Sequence, residues 1–176
     1  MKLKSTLMNG EGLSRTISRI SHEIIEKNDN LADVVLVGVK TRGVPIAQRI
    51  SESVEKFHGE KLVVGTLDIT NFRDDIEKNQ KTDDKSLEIA SDITNKTVII
   101  VDDVLFTGRT ARASMDAILN HARPAKIQLA VIVDRGHREL PIRPDYVGKN
   151  VPSSKNEIIK VNIKDHDEEE KVEIYE

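Results

Sequence analysis

The sequence predicts an α/β protein built on a mainly parallel, doubly wound sheet. Apolar runs rich in Val and Ile recur at 34–39, 62–67, 98–101 and 127–133. Two of them, 34–39 and 98–101, lack the polar alternation of half-exposed strands, as expected of strands covered on both faces. Segments with helical spacing lie between the runs, and the strand–helix–strand order repeats, as a parallel sheet requires. At 176 residues the chain is expected to be one domain, 1–176, able to bury about 70% of the surface its unfolded form exposes.

Each element has a local reason. Leu13, Ile17, Ile20, Ile24 and Ile25 fall on one helix face, with Ser14 as a candidate cap and Asn28-Asp29-Asn30 as the stop. Val34 to Val39 is the first buried strand. Pro45 belongs in the first turn of a second helix, where its missing N–H costs little, and Ile46, Ile50 and Val54 form that helix's apolar side. Strands follow at Leu62–Leu67 and Val98–Val101, then a helix carrying Ala113, Ala117 and Ile118, then a strand at Ile127–Val133. In such sheets ligands sit beyond the carboxyl ends of the strands, which directs attention to the residues after Val39, Val101 and Val133.

Three segments break the pattern. The stretch 71–86 is dominated by charged and amide residues and is long for a connection, the mark of a lid or a solvated excursion. Asp134 to Val151, rich in Arg, Pro and Gly, reads as an irregular cap over the sheet's edge. The acidic run 165–170 reads as a solvated turn before a last strand, Val172–Tyr175, with no chemistry assigned to it.

Composition removes several function classes. With 27 basic and 30 acidic residues the net charge is −3, so any polyanion site must be a local patch. Cysteine is absent, which excludes disulfides, thiolate metal sites and a thiol nucleophile, and fits a cytoplasmic protein. No apolar run reaches the roughly 20 residues of a membrane span, the start Met1 to Thr6 lacks a signal peptide's apolar core, and no membrane partner is expected. Aromatics are 3% with no Trp, against a single-strand binder built on stacking.

The most informative run is Val98-Ile99-Ile100-Val101-Asp102-Asp103-Val104-Leu105-Phe106-Thr107-Gly108-Arg109-Thr110. A buried strand emerges into two adjacent, exposed carboxylates, which repel one another unless they accept hydrogen bonds from a ligand or face a cation. Vicinal sugar hydroxyls are suitable donors. After a short turn, Thr107 to Thr110 open a helix whose free N–H groups, hydroxyls and dipole form a phosphate cradle, and Gly108 allows close approach. Acids for sugar hydroxyls followed by an amide nest describe a ribose-5-phosphate site. The Walker A and Gly-x-Gly-x-x-Gly patterns are missing, against nucleotide hydrolysis and dinucleotide binding. Lys40-Thr41-Arg42-Gly43, read alone, is a basic turn before a helix. The loop from Asp134 to Pro152, read alone, is ambiguous between base recognition and polyanion binding.

The 98–110 run resembles the motif of type I phosphoribosyltransferases. With the Lys40–Gly43 loop, the 134–152 loop, Ile20-Ser21-His22-Glu23 and Asp68-Ile69-Thr70, the chain resembles, from about Leu13 to Tyr175, the bifunctional pyrimidine operon attenuation regulators that are also uracil phosphoribosyltransferases. The resemblance implies the type I phosphoribosyltransferase fold, with a lid at about 70–90 and a hood at about 134–165. It implies conversion of uracil and phosphoribosyl pyrophosphate to UMP and pyrophosphate with Mg2+, held through the substrate rather than by direct protein ligands. Asp102 and Asp103 would take the ribose hydroxyls and Thr107, Gly108, Arg109 and Thr110 the 5-phosphate. Lys40, Thr41, Arg42 and Gly43 would face the pyrophosphate, with Asp102, Asp103 and Arg42 as the catalytic set and Arg73 and Lys78 in the lid. Phe106 stands where oxopurine enzymes usually carry an Asp, which disfavours purines and makes its ring a candidate pocket wall. The hood, through Asp134, Arg135 and Ile159, would hold the uracil edge. The resemblance also implies binding of the leader mRNA of a pyrimidine operon when UMP or UTP is bound, favouring transcription termination. Its basic surface maps to Ser18 (often Thr in the family), Arg19, His22, His137, Arg138, Arg143 and Lys149, on a homodimer or higher homo-oligomer. Arg19 and His22, three apart, would otherwise be an ordinary solvated stripe.

Overall fold

The computed structural model describes residues 1–74, 86–164 and 166–176. In chain order the elements are β1 (Leu3–Asn9), α1 (Gly10–Lys27), β2 (Val34–Val39), α2 (Gly43–His58), β3 (Val63–Leu67), β4 (Leu87–Glu88), β5 (Thr97–Leu105), α3 (Arg109–His121), β6 (Lys126–Asp134), β7 (Tyr146–Asn150), β8 (Ile158–Asn162) and β9 (Lys171–Tyr175), with one-turn 3-10 helices at Leu31–Asp33 and Thr70–Phe72.

Six strands form one sheet in the order β4-β3-β2-β5-β6-β7. Every pairing in it is parallel except that of the two-residue β4 with β3. All six residues of β2 are buried, and its pleat sorts them between two cores. Val34 and Leu36 join Ile99 and Val101 of β5 in a core shared with Leu13, Ile17, Ile20 and Ile24 of α1 and Ile46, Ile50 and Val54 of α2. Val35, Val37 and Val39 join Val98 and Ile100 against Ala111, Ala117 and Ile118 of α3. Each large aliphatic side chain so buried is worth about 1.5–3 kcal/mol. The chain passes from β2 to β3 on one side and reaches β5 on the other, so the sheet's switch point lies between β2 and β5 and a crevice opens beyond their carboxyl ends.

Several expectations are corrected. The cap of α1 is Asn9, whose side chain accepts from the N–H of Gly12 at 2.8 Å. Ser14 lies inside the helix and accepts from Arg49 at 2.9 Å. β5 does not end at Val101 but runs on to Leu105, because its pairing with β6 continues beyond the apolar run; the two acids therefore lie within a strand, half-buried, rather than exposed after it. Within 134–151, Tyr146–Asn150 is not an irregular cap but the edge strand of the parallel sheet. A second, antiparallel sheet in the order β1-β9-β8 joins both chain ends; of the residues expected in the hood only β8 enters it.

Candidate active site

The loop after β2 is fixed on three sides. The Lys40 N–H donates to the Leu67 carbonyl at 2.9 Å, and its ammonium lies 3.6 Å from Asp68. Thr70 donates to Asp68 through both its hydroxyl, at 2.6 Å, and its amide, at 3.0 Å, which holds the Asp68 carboxyl below its ordinary range. The Lys40–Thr41 peptide is cis. At Gly43 any Cβ would sit 2.3 Å from the Val101 carbonyl oxygen, so the start of α2 rests directly on β5 only because the residue is glycine. The guanidinium of Arg42 does not line the crevice but turns to Asp167, donating Nε at 3.3 Å and Nη2 at 2.9 Å. The acidic segment to which no chemistry was assigned thus reaches the candidate diphosphate loop.

At the end of β5, Asp102 accepts from the Asp103 N–H at 2.9 Å and Asp103 from the Val104 N–H at 2.7 Å. Burial, and secondarily the charge of Asp103, raises the Asp102 carboxyl well above its ordinary value; a ligand donor or cation would relieve that cost. Gly108, at φ +93°, caps α3, a left-handed conformation that suits glycine. The first-turn N–H groups of that helix have no intrahelical acceptor. Arg109 is bound away from the cradle, its guanidinium donating to Glu139 at 2.8 Å and Asp74 at 2.6 Å.

The crevice, about 440 Å³, is lined by Val39, Lys40, Thr41, Asp68, Ile69, Thr70, Arg73, Asp102, Asp103, Val104 and Thr110. It brings together the two acids, one end of the phosphate turn, the loop after β2 and one predicted lid residue. Thr107 and Arg109 line a neighbouring hollow of about 230 Å³ with Arg73, Asp74 and Thr110. Lys78 lies outside the described residues. A hollow of about 490 Å³ between α2 and β3, around Ser51 and Leu62, contains none of the predicted site residues. Among the described residues no group of three or more His, Asp or Glu side chains could hold a metal ion.

The loop after β6 is bonded to the turn that follows β5. The Thr107 carbonyl accepts from the N–H groups of Glu139, at 2.9 Å, and Leu140, at 3.2 Å. Arg138 donates to the carbonyls of Phe106 at 2.8 Å and Ile142 at 2.9 Å, and to Asp134. Arg135 is buried, with its guanidinium 4.0 Å above the Phe106 ring and donating to Ser153 Oγ and the Ser154 carbonyl. His137 meets the same ring edge-on at 5.8 Å. The side chain of Ile159 belongs to the α1–α2 core rather than the crevice, so only its main chain is left to meet a base.

The basic residues expected on one surface fall into two groups. Arg19 bonds Glu23 at 2.6 Å and the Val147 and Gly148 carbonyls of β7, and Lys149 donates to the Leu7 carbonyl at 3.3 Å. With half-buried Ser18 they form one α1–β7 face. His22 stacks on Phe57 of α2 at 4.1 Å. Arg138 and His137 are used inside the loop after β6, while Arg143 is exposed. Asp167 and Glu139 are the site-adjacent residues that sequence reasoning missed, each an acid far along the chain from the arginine it meets; Asp68 enters the sequence reading only within the Asp68-Ile69-Thr70 run, which does not foretell its contact with Lys40.

Residues 5–166 match the family of the phosphoribosyl transferase domain. The Bifunctional protein PyrR of Clostridium acetobutylicum is 54% identical over 100% of this chain and 99% of its own. That of Clostridium perfringens strain SM101 is 56% identical and that of Bacillus pumilus 50%, each over the same shares of both chains. Among solved structures, the hypoxanthine phosphoribosyltransferase of Trypanosoma cruzi superposes with TM-score 0.70 at 17% identity, over 98% of this chain and 96% of that one. A hypoxanthine-guanine phosphoribosyltransferase of Bacillus anthracis gives 0.69 at 16%, over 98% of both; at such identity these two show the shared α/β fold alone. The chain belongs to the phosphoribosyl transferase family and, within it, to the bifunctional PyrR proteins.

Proposed function

We propose that the chain transfers the phosphoribosyl group of phosphoribosyl pyrophosphate to uracil, giving UMP and pyrophosphate, and that it also binds the leader mRNA of a pyrimidine operon when loaded with uridine nucleotide, favouring termination. The observation that carries the enzymatic half is the crevice at the switch point, where Asp102, Asp103 and Thr110 stand opposite Lys40 and Thr41. Asp102 and Asp103 accept the ribose hydroxyls, and the amides from Thr107 to Thr110 take the 5-phosphate. Lys40, Thr41 and the backbone up to Gly43 face the diphosphate, with Arg73 closing from the lid side.

In the reaction the bond from C1 to diphosphate breaks as a uracil ring nitrogen bonds C1, and that nitrogen's proton is lost. Positive charge grows on the ribose ring and negative charge on the departing diphosphate. The acids favour the first and the lysine and backbone donors the second, so no protein nucleophile is required. The half-buried acid pair suits a divalent cation, but with no three-ligand cluster among the described residues magnesium would be held chiefly by substrate oxygens beside Asp102 and Asp103. When bound it neutralises diphosphate charge. Phe106, under the Arg135 guanidinium, offers no acid to a purine, and Asp134, Arg135 and the Ile159 main chain take the uracil edge. For RNA, Arg19 and Lys149, with Arg143 and Arg138 around the loop after β6, supply the local positive surface that a −3 chain otherwise lacks, and Ser18, His22 and His137 add hydrogen-bonding groups.

A panel of uracil, orotate, hypoxanthine and adenine with phosphoribosyl pyrophosphate and Mg2+ tests the enzymatic half: uracil alone should release pyrophosphate efficiently, and preference for hypoxanthine would refute the assignment. A gel shift with the organism's own leader RNA tests the other half. A shift that strengthens with UMP is expected, and no shift with or without UMP would remove it.

A further inference from the structure

The segment that follows β8 is docked along α2 by two ion pairs. Arg42 donates two N–H groups to Asp167, and Arg49, seven residues on and so on the same helix face, donates to Glu170 at 2.9 Å. Asp167 is itself held in place. Its Oδ2 accepts from the Ile163 N–H at 2.8 Å, and its own N–H donates to the Ile163 carbonyl at 2.7 Å. The side chains of Arg42 and Asp167 are 37% and 20% exposed, so the pair is less screened than one in open water. Arg42 is also the N-cap of α2 and makes no side-chain cap bond there. It stands between Thr41, which lines the crevice, and Gly43, which rests on the Val101 carbonyl. Whatever fixes Arg42 therefore fixes the loop that faces the diphosphate.

We infer that Asp167 is a positioning residue for phosphoribosyl transfer: through Arg42 it holds residues 40–43 in the conformation that receives the diphosphate. The inference rests on the function proposed above. Glu170 supplies the internal control, since its pair with Arg49 docks the same segment to the same helix without touching the loop.

The experiment is steady-state kinetics with both substrates on wild type, Asp167→Asn, Glu170→Gln, Arg42→Lys and the Asp167→Asn/Arg42→Lys double variant, with melting temperatures alongside. Asp167→Asn is expected to raise KM for phosphoribosyl pyrophosphate about tenfold while KM for uracil stays within about twofold. Glu170→Gln should leave both constants within about twofold of wild type. The double variant should be no worse than the larger single, because both changes break one contact. Should Asp167→Asn fail to fold, Arg42→Lys, which keeps the charge and loses the fork, poses the same question. An unchanged KM for phosphoribosyl pyrophosphate would make the carboxylate idle, and a lowered one would make it a competitor of the diphosphate; either overturns the inference. Equal losses in Glu170→Gln would do the same by reducing the effect to docking. A wild type with no turnover of phosphoribosyl pyrophosphate would remove the proposed reaction and this inference with it, and is distinguished by needing no variant.

Discussion

The crevice at the ends of β2 and β5 and the basic face of α1 and β7 use arginine and lysine in opposite ways. In the crevice the candidate binding groups are placed by main chain: a glycine pressed on a strand carbonyl, a left-handed cap, the first turn of α3, whose Arg109 N–H donates to the Thr107 hydroxyl at 3.3 Å, and two half-buried acids within β5. On the α1–β7 face the candidate contacts are long side chains that already bond backbone carbonyls, Arg19 from α1 to β7 and Lys149 from β7 to Leu7 of β1. A site built from backbone is specified by where the chain turns. One built from side chains must trade structural bonds against ligand bonds.

The largest expected effect falls in the crevice. Asp103→Ala should lower kcat/KM by about a thousandfold with little change in melting temperature; wild-type-like rates would break the ribose assignment. Next comes Arg138, which the resemblance places with RNA but which the structure spends on Phe106, Ile142 and Asp134. Because those bonds tie the loop after β6 to the turn proposed to hold the 5-phosphate, Arg138→Ala should cost about tenfold in both turnover and RNA affinity. Loss of RNA binding alone would show that it belongs to the surface group.

Legibility in the sequence follows the same division. β2 and β5 announce themselves because continuous Val and Ile runs of strand length, rich in β-branched residues, read as strands covered on both sides, and residues 102–110 are legible because strand, acids and turn are contiguous. β1 is not, since its mixed residues 3–9, three apolar and four polar, find their partner in β9 at the other end of the chain. Nor is β7, whose strand lies among prolines and arginines and is stabilised by β6 rather than by its own composition. Asp167 meets Arg42 across 125 residues, a pairing that no local spacing encodes.

Smaller effects sharpen the contrast. Arg143 is exposed beside the loop after β6, so Arg143→Ala should leave turnover unchanged, weaken RNA binding severalfold and reduce its salt slope by about 1; a catalytic loss would place it at the crevice. Asp102 gives the smallest and most specific signal. Burial first, and then Asp103, raise its pKa well above the ordinary 3.8. Between 3.8 and that raised value the folded chain holds a proton that the unfolded chain has lost, so stability falls as pH rises through this window. Asp102→Asn removes the penalty and should raise the melting temperature at pH 7 while costing turnover. The gain should vanish below 3.8, where both forms of the wild-type chain are protonated. A pH-independent gain would trace it to packing instead.

The most direct measurement is a crystal structure of the protein soaked with phosphoribosyl pyrophosphate and Mg2+. The account predicts the ribose hydroxyls on Asp102 and Asp103 and the 5-phosphate over the amides from Thr107 to Thr110. The sugar phosphate lodged elsewhere, for instance in the hollow beside Ser51 and Leu62, would contradict it.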